Sequence, residues 1–295
     1  MAPQLDTLIT ALYVQLDDLF IQLGVARRDG RPPRLSDSEL VCLAVAQVLL
    51  GCNSERRWLR FAYGRLGHLF PYLPQSPAYN KRLRAAYRLL EHAMRHLAGL
   101  TPSWWDQLRL LDSTPVPCGA SRETVERSEL ADWANYGYCA SHSRYFWGLR
   151  LHLLTTPDGA VVAWCLADPK IGDREVAQAM LERVPTRPGL LIIADKGYAG
   201  RDFERFVCDE LRATLVRPDR RDERPHHGSL GWVRQRIESV NDTLKGQLGL
   251  EQHGGRTRTG VTVRIAQRLL ALTAGVWHNW LIDAPSKRSL VAYDH

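Results

Sequence analysis

The sequence predicts an α/β fold, a mixed sheet with flanking helices, preceded by a helical N-terminal domain. Three observations predict it. Up to about residue 100 the apolar positions recur at helical spacing; from Leu108 onward short apolar runs alternate with helical stretches; and the change falls at Thr101-Pro102. The 295 residues, 45% of them hydrophobic, can fill two ordinary cores. The reading therefore divides the chain into residues 1–105, helical and basic, and residues 106–295, with an inserted segment at 115–146 and a C-terminal helix.

In the first part, an opening helix is expected over residues 5–23. It is followed by a loop at Arg27-Arg28-Asp29-Gly30-Arg31-Pro32-Pro33, where glycine, proline and charge forbid a regular element. Ser36 with Glu39 three residues later forms a capping box ahead of the apolar run 40–50, which Gly51 ends. Ser54 starts a further helix. From Tyr79, the positions Leu83, Tyr87, Leu90, Met94 and Leu97 form the apolar face of one long helix, with Lys81, Arg84, Arg88 and Arg95 on another face. A solvated charged face and a contact with DNA both suit that basic stripe.

In the second part, residues 108–111 read as a strand ending at Asp112. Residues 147–155 and 160–166 read as a hairpin turned at Pro157-Asp158-Gly159. A helix from Asp173 to Leu181 follows, then a strand over 189–194 stopping at Asp195, a helix over 202–211, a strand over 213–216, a loop over 217–228 and a helix over 230–248.

Composition narrows the function. The net charge is +7, and residues 51–100 hold nine Lys or Arg against Glu55 and Glu91, an excess equal to that of the whole chain. A polyanionic partner suits that distribution. Six cysteines without a C-x-x-C pair read as reduced thiols and exclude a zinc site of the usual spacing. The N-terminus lacks a basic start and an apolar run, and no stretch reaches the length of a membrane span, so a cytoplasmic protein with no membrane partner is expected.

Two strands from distant parts of the chain each lead into an aspartate, Asp112 and Asp195, at the edge where open sheets with parallel strands gather ligands. Each alone is more often a helix cap or turn former than a ligand. Together they form a pair of hard oxygen donors that repel unless a cation lies between them. On the helix over 230–248, Val233, Ile237, Val240, Leu244 and Leu248 form an apolar face, expected to pack on the sheet. Arg234, Glu238, Asn241, Asp242 and Lys245 form an adjoining stripe. Glu238 is then placed to lean over the strand ends, the alternative being a salt-bridged surface helix.

These blocks resemble the DDE transposases of bacterial insertion sequences. Leu111-Asp112-Ser113-Thr114 is similar to the first-aspartate block, and Ala194-Asp195-Lys196-Gly197-Tyr198 to the second. Arg234-Gln235-Arg236-Ile237-Glu238 with Lys245 is similar to the glutamate block, and Trp147-Gly148-Leu149-Arg150-Leu151-His152 to the second-strand segment. Gly231 stands where many relatives have a tyrosine, so no role of that tyrosine carries over.

The resemblance implies an RNase H-like catalytic domain and a polynucleotidyl transferase that cleaves and joins DNA at the ends of an insertion sequence. It implies Asp112, Asp195 and Glu238 as catalytic carboxylates holding Mg²⁺, with Mn²⁺ as a substitute and two ions in all. Lys245 and Arg234 would neutralise DNA phosphate, and Lys81, Arg84 and Arg88 would bind the element ends. The implied partners are double-stranded DNA, both element ends and target, and further copies of the chain in a homo-oligomer on DNA, at the nucleoid. A nuclease of the same fold without strand transfer, and a non-catalytic DNA-binding derivative, are the alternatives. His142 and His152 suit ligands or acid–base groups but read better as satisfied structural histidines, and the aromatics from Trp133 to Tyr138, which could stack on unpaired bases, read better as a packed flap.

Overall fold

A computed structural model describes residues 3–25, 33–139, 143–185, 187–218 and 231–293, without the side chains of 3 and 231–234. The expected loops at 27–33 and 217–228 fall largely outside these residues, as does His142. The elements run α1 (Pro3–Gln22), α2 (Asp37–Leu49), α3 (Glu55–Arg65), α4 (Ser76–Ala85), α5 (Tyr87–Gly99), β1 (Leu108–Gly119), α6 (Arg122–Arg127), β2 (Asn135–Cys139) and β3 (Arg144–Thr155). They continue with β4 (Val161–Ala167), α7 (Asp173–Leu181), β5 (Leu191–Ala194), α8 (Arg201–Arg205), β6 (Thr214–Val216), α9 (Gly231–Asp242) and α10 (Arg258–Leu281). The chain divides into two compact units. One is Pro102–Thr243 with Arg256–Arg258; the other is Met1–Thr101 with Leu244–Gly255 and Thr259–His295.

The sheet belongs to the first of these units. β1 pairs with β3 antiparallel on one edge and with β5 parallel on the other, and β6 continues parallel beyond β5. β2 and β4 share the far edge of β3, β2 along 144–148 and β4 along 150–155. Four strands in antiparallel pairings, β1 to β4, followed by two parallel ones, joined through α7 and α8, make a mixed α/β sheet of the kind that the alternation of patterns predicts. Side chains alternate between faces along each strand. Leu111, Leu154, Ile192 and Ala194 pack in one core with Ala177 and Leu181 of α7 and Phe203 of α8. Leu110 and Ile193, on the opposite face, pack with Ile237 of α9.

β1 is longer than the sequence reading has it. It runs through Asp112 to Gly119, so Asp112 lies inside the strand and not at its end. The misleading feature is Ser113-Thr114-Pro115-Val116-Pro117, which reads as a loop. β5 stops pairing at Ala194, opposite Leu111, so beyond that point β1 has no partner on the β5 side among the described residues. Prolines are tolerated on such an unpaired edge, because their missing N–H removes no ladder bond there. Gly148 lies opposite Pro117, and a Cβ at that position would collide with the carbonyl of Val116. The crossing of β3 over the proline-containing stretch therefore requires glycine. The segment expected as an inserted flap at 115–146 contributes the end of β1, α6, β2 and the start of β3.

The other unit is helical. Ser36 Oγ accepts the Glu39 N–H at 3.0 Å while Glu39 Oε2 accepts the Ser36 N–H at 2.5 Å, the capping box expected from the sequence. The long helix expected from Tyr79 is two helices. It breaks at Ala86, whose N–H closes a tight turn on Leu83 O, so Lys81 and Arg84 lie on α4 and Arg88 on α5. No Gly or Pro marks the break, and the periodicity continues through it.

The C-terminal helix α10, expected with the sheet, groups with the helical unit. From Ile265 to Asn279 every residue of α10 is buried, which makes it the interior helix of the helical unit. Gln267 Nε2 donates to Ala44 O at 2.8 Å and to Gln47 Oε1 at 3.2 Å, and Tyr79 OH donates to the same Gln47 oxygen at 2.9 Å. Arg268, also buried, donates to Gly249 O and Arg264 O, both at 3.0 Å. These bonds satisfy polar groups in an otherwise apolar interior, where an unmet donor costs roughly 1–3 kcal/mol.

One consequence is testable by expression. A fragment of residues 1–105 lacks its interior helix and is expected to show no cooperative thermal transition, whereas the same fragment supplied with 244–295 should regain one. Cooperative unfolding of 1–105 alone, followed by circular dichroism, would contradict this division of the chain.

Candidate active site

Asp112 is two residues beyond Leu110 on β1, so its side chain projects from the face that α9 covers. Contact with α9 is direct: Asn241 Nδ2 donates to Asp112 Oδ2 at 2.6 Å. The parallel register Leu111↔Ala194 makes Asp195 the lateral neighbour of Asp112. Adjacent strands lie about 4.8 Å apart. Asp195 is likewise two residues beyond Ile193, which packs on the same face. It is exposed, and its Oδ1 accepts the Lys196 N–H at 2.7 Å, capping the short turn Lys196–Tyr198.

The electrostatics of Asp112 follow from this setting. Burial pushes its carboxyl from the ordinary 3.8 up to about 7. The backbone N–H of Ser113 and the amide of Asn241 act in the opposite direction, and the charges of Asp195 and Asp173 raise it further. A desolvated carboxyl facing two others is an arrangement that a divalent cation relieves. The donor set, all hard carboxylate oxygen, suits Mg²⁺ or Mn²⁺.

Glu238 is exposed on α9, one turn before Asn241 on the same side of the helix. Among the described residues no three His, Cys, Asp or Glu groups stand together as a closed set of metal ligands. The structure thus brings Asp112 and Asp195 together and leaves Glu238 on the covering helix. The Arg234 side chain lies outside the described residues. The helix expected over 230–248 ends at Asp242 and passes into a wider turn, Thr243–Gln247, that contains Lys245. Such a turn re-aims the chain. Ile237 packs on the sheet as expected, whereas Leu244, Lys245 and Leu248 belong to the helical unit.

Sequence reasoning placed Asn241 on the right stripe without a role. The only signal was its spacing, three residues after Glu238. It also missed the pairing of Asp173 at the start of α7, where Arg150 Nη1 donates to both carboxylate oxygens at 2.9 Å. His152 is fully buried, with Nε2 3.9 Å from Asp173 Oδ1, and neither ring nitrogen has a hydrogen-bond partner among the described residues. Burial lowers its pKa to about 4 against the pull of Asp173, so it is neutral at pH 7. The satisfied ring expected from the sequence is therefore not what the described residues supply.

The family model of the transposase DDE domain matches residues 105–274, more than half of the chain. The chain belongs to this family of DDE transposases. The match covers both aspartates, Asn241 and Glu238. Among solved structures, the cryo-EM structure of a piggyBac transposase synaptic complex with hairpin DNA is similar, with a TM-score of 0.44 and 9% identity over 96% of this chain and 76% of that chain. No curated protein matches the chain. Among the described residues no helix is long and apolar enough to cross a membrane.

The raised pKa of Asp112 gives the metal-free transposase a pH dependence of defined sign. A carboxyl whose folded pKa lies above its unfolded value stabilises the fold fully below the unfolded pKa, and loses that contribution as pH rises through the folded pKa. Thermal stability without metal is therefore expected to fall between about pH 4 and pH 7, by an amount on the order of 1–3 kcal/mol. Asp112→Asn should remove most of this slope. Asn241→Ala, which deletes a donor to the carboxylate, should move the transition to higher pH. A melting profile that the two substitutions leave unchanged would contradict the environment assigned to Asp112.

Proposed function

We propose that this transposase cleaves DNA at the ends of an insertion sequence and transfers the freed strands to target DNA, with Asp112, Asp195 and Glu238 as its catalytic carboxylates. The observation that supports the reading most directly is the adjacency of Asp112 and Asp195 on the sheet face covered by α9. Glu238 on α9 completes the set from the helix side.

Asp112 would hold metal together with Asp195 and with Glu238, and Asn241 donates to its Oδ2. Two Mg²⁺ ions held by these residues, or Mn²⁺ in their place, would supply neutralisation of the scissile phosphate and acidification of the attacking hydroxyl. In the reaction an oxygen of water, or of a DNA 3′ end, forms a bond to phosphorus as the leaving oxygen departs in line, so one site serves both hydrolysis and joining. Arg234 and Lys245 neutralise neighbouring phosphates on this reading. Lys81, Arg84 and Arg88 are all exposed and suit sequence-independent contact with the DNA backbone. Joining two element ends in one reaction calls for a homo-oligomer assembled on DNA.

The test uses DNA carrying the repeats that flank the gene, incubated with the full chain and Mg²⁺ or EDTA. Mg²⁺-dependent nicking followed by joined products is expected. Asp112→Asn, Asp195→Asn and Glu238→Gln should each reduce both products to background, while their thermal midpoints without metal stay level or rise as like charges are removed. Cleavage without joining would instead identify a nuclease, and binding without cleavage a DNA-binding derivative. Full activity in Asp112→Asn or Asp195→Asn would overturn the assignment.

A further inference from the structure

In the helical unit, α3 buries Trp58, Leu59 and Ala62 and turns Arg56, Arg60 and Tyr63 outward at spacings of four and three, a single stripe. This stripe forms one wall of a groove of about 780 Å³, whose other wall is the segment 73–77 with Leu73, Pro74 and Gln75. Tyr63 is 77% exposed, so it contributes almost nothing to the core. The guanidinium groups of Arg56 and Arg60 have no ion-pair partner among the described residues. The one acidic residue between positions 51 and 90, Glu55, is engaged elsewhere. It pairs with Arg264 and accepts the Asn80 side-chain N–H at 2.7 Å. The groove therefore carries two uncompensated positive charges beside a solvent-facing aromatic ring, and no lining residue is acidic.

We infer that this groove is a docking surface for the sugar-phosphate backbone of duplex DNA. Charge complementarity selects the occupant: two guanidinium groups one helical turn apart on one wall are available to phosphates along a strand, and arginine binds phosphate with directed, paired N–H donors. Tyr63 adds van der Waals contact with sugars, and its hydroxyl is a donor for a phosphate oxygen. The inference rests on the DNA-processing function proposed above and identifies a contact surface for it separate from Lys81, Arg84 and Arg88.

The experiment measures affinity of the full chain for a random-sequence duplex as a function of salt, since backbone contacts are independent of base sequence. Each phosphate contact contributes close to one unit to the slope of log affinity against log salt. Arg56→Gln with Arg60→Gln is expected to flatten the slope by about 2. Tyr63→Ala should weaken binding at every salt concentration without changing the slope. Arg60→Lys, which keeps the charge, should keep the slope, and serves as the second variant should the double substitution destabilise the chain. An unchanged slope in the double variant at wild-type thermal midpoint overturns the groove, as does a flattened slope in Arg60→Lys. Either result leaves Mg²⁺-dependent cleavage of the element ends intact. A wild-type chain with no salt-dependent affinity for duplex DNA would overturn the DNA-processing reading itself.

Discussion

The parallel pairing of β1 with β5 is the constraint on which the site depends. Leu111 opposite Ala194 is the last pair of that ladder, and the two residues that follow are Asp112 and Asp195. Side-chain direction has a period of two along a strand, so a slip of one residue would send one carboxylate to the α7 face and separate the pair. The register is held by burial on both faces, with Leu111, Ile192 and Ala194 fixed against α7 and α8, and Leu110 and Ile193 against Ile237. Apolar packing therefore sets the distance between two charged groups that repel each other. That repulsion is tolerable because Asp112 takes a proton readily, and because the amide of Asn241 and the N–H of Ser113 stabilise its charged form.

Much of the sheet could be read from the sequence, because strands buried on one or both faces leave short apolar runs and helices leave a different period. Residues 147–155, 160–166, 173–181 and 213–216 were all expected within a few positions of where they lie. The aspartates were legible for the same reason: each follows an apolar run directly. What escaped was decided by tertiary contact. The extension of β1 across Pro115 and Pro117 exists because β3 supplies one edge and β5 has already ended. The break at Ala86 leaves no mark in composition. The membership of α10 in the helical unit shows only in what packs around it, since a helix buried on all sides has no polar face to betray its neighbours.

The site shows the same limit. Spacing placed Glu238, Asn241 and Lys245 on one stripe of a continuous helix, and the wider turn at Thr243–Gln247 separates Lys245 from that stripe. Asn241 became recognisable only through its bond to Asp112, whereas Glu238 was recognisable only through its resemblance to the glutamate of DDE transposases. Two aspartates placed by the sheet and a glutamate carried on a covering helix differ in how rigidly they are held. The sheet pair is placed by packing, while Glu238 is an exposed side chain on a helix surface.

Asp112, Asp195 and Glu238 are proposed to hold one cation site. Calorimetric titration of Mn²⁺ into the metal-free full chain, without DNA, tests it most directly. Saturable binding is expected, lost in Asp112→Asn and in Asp195→Asn and weakened in Glu238→Gln. Binding of unchanged affinity and stoichiometry in Asp112→Asn would contradict it.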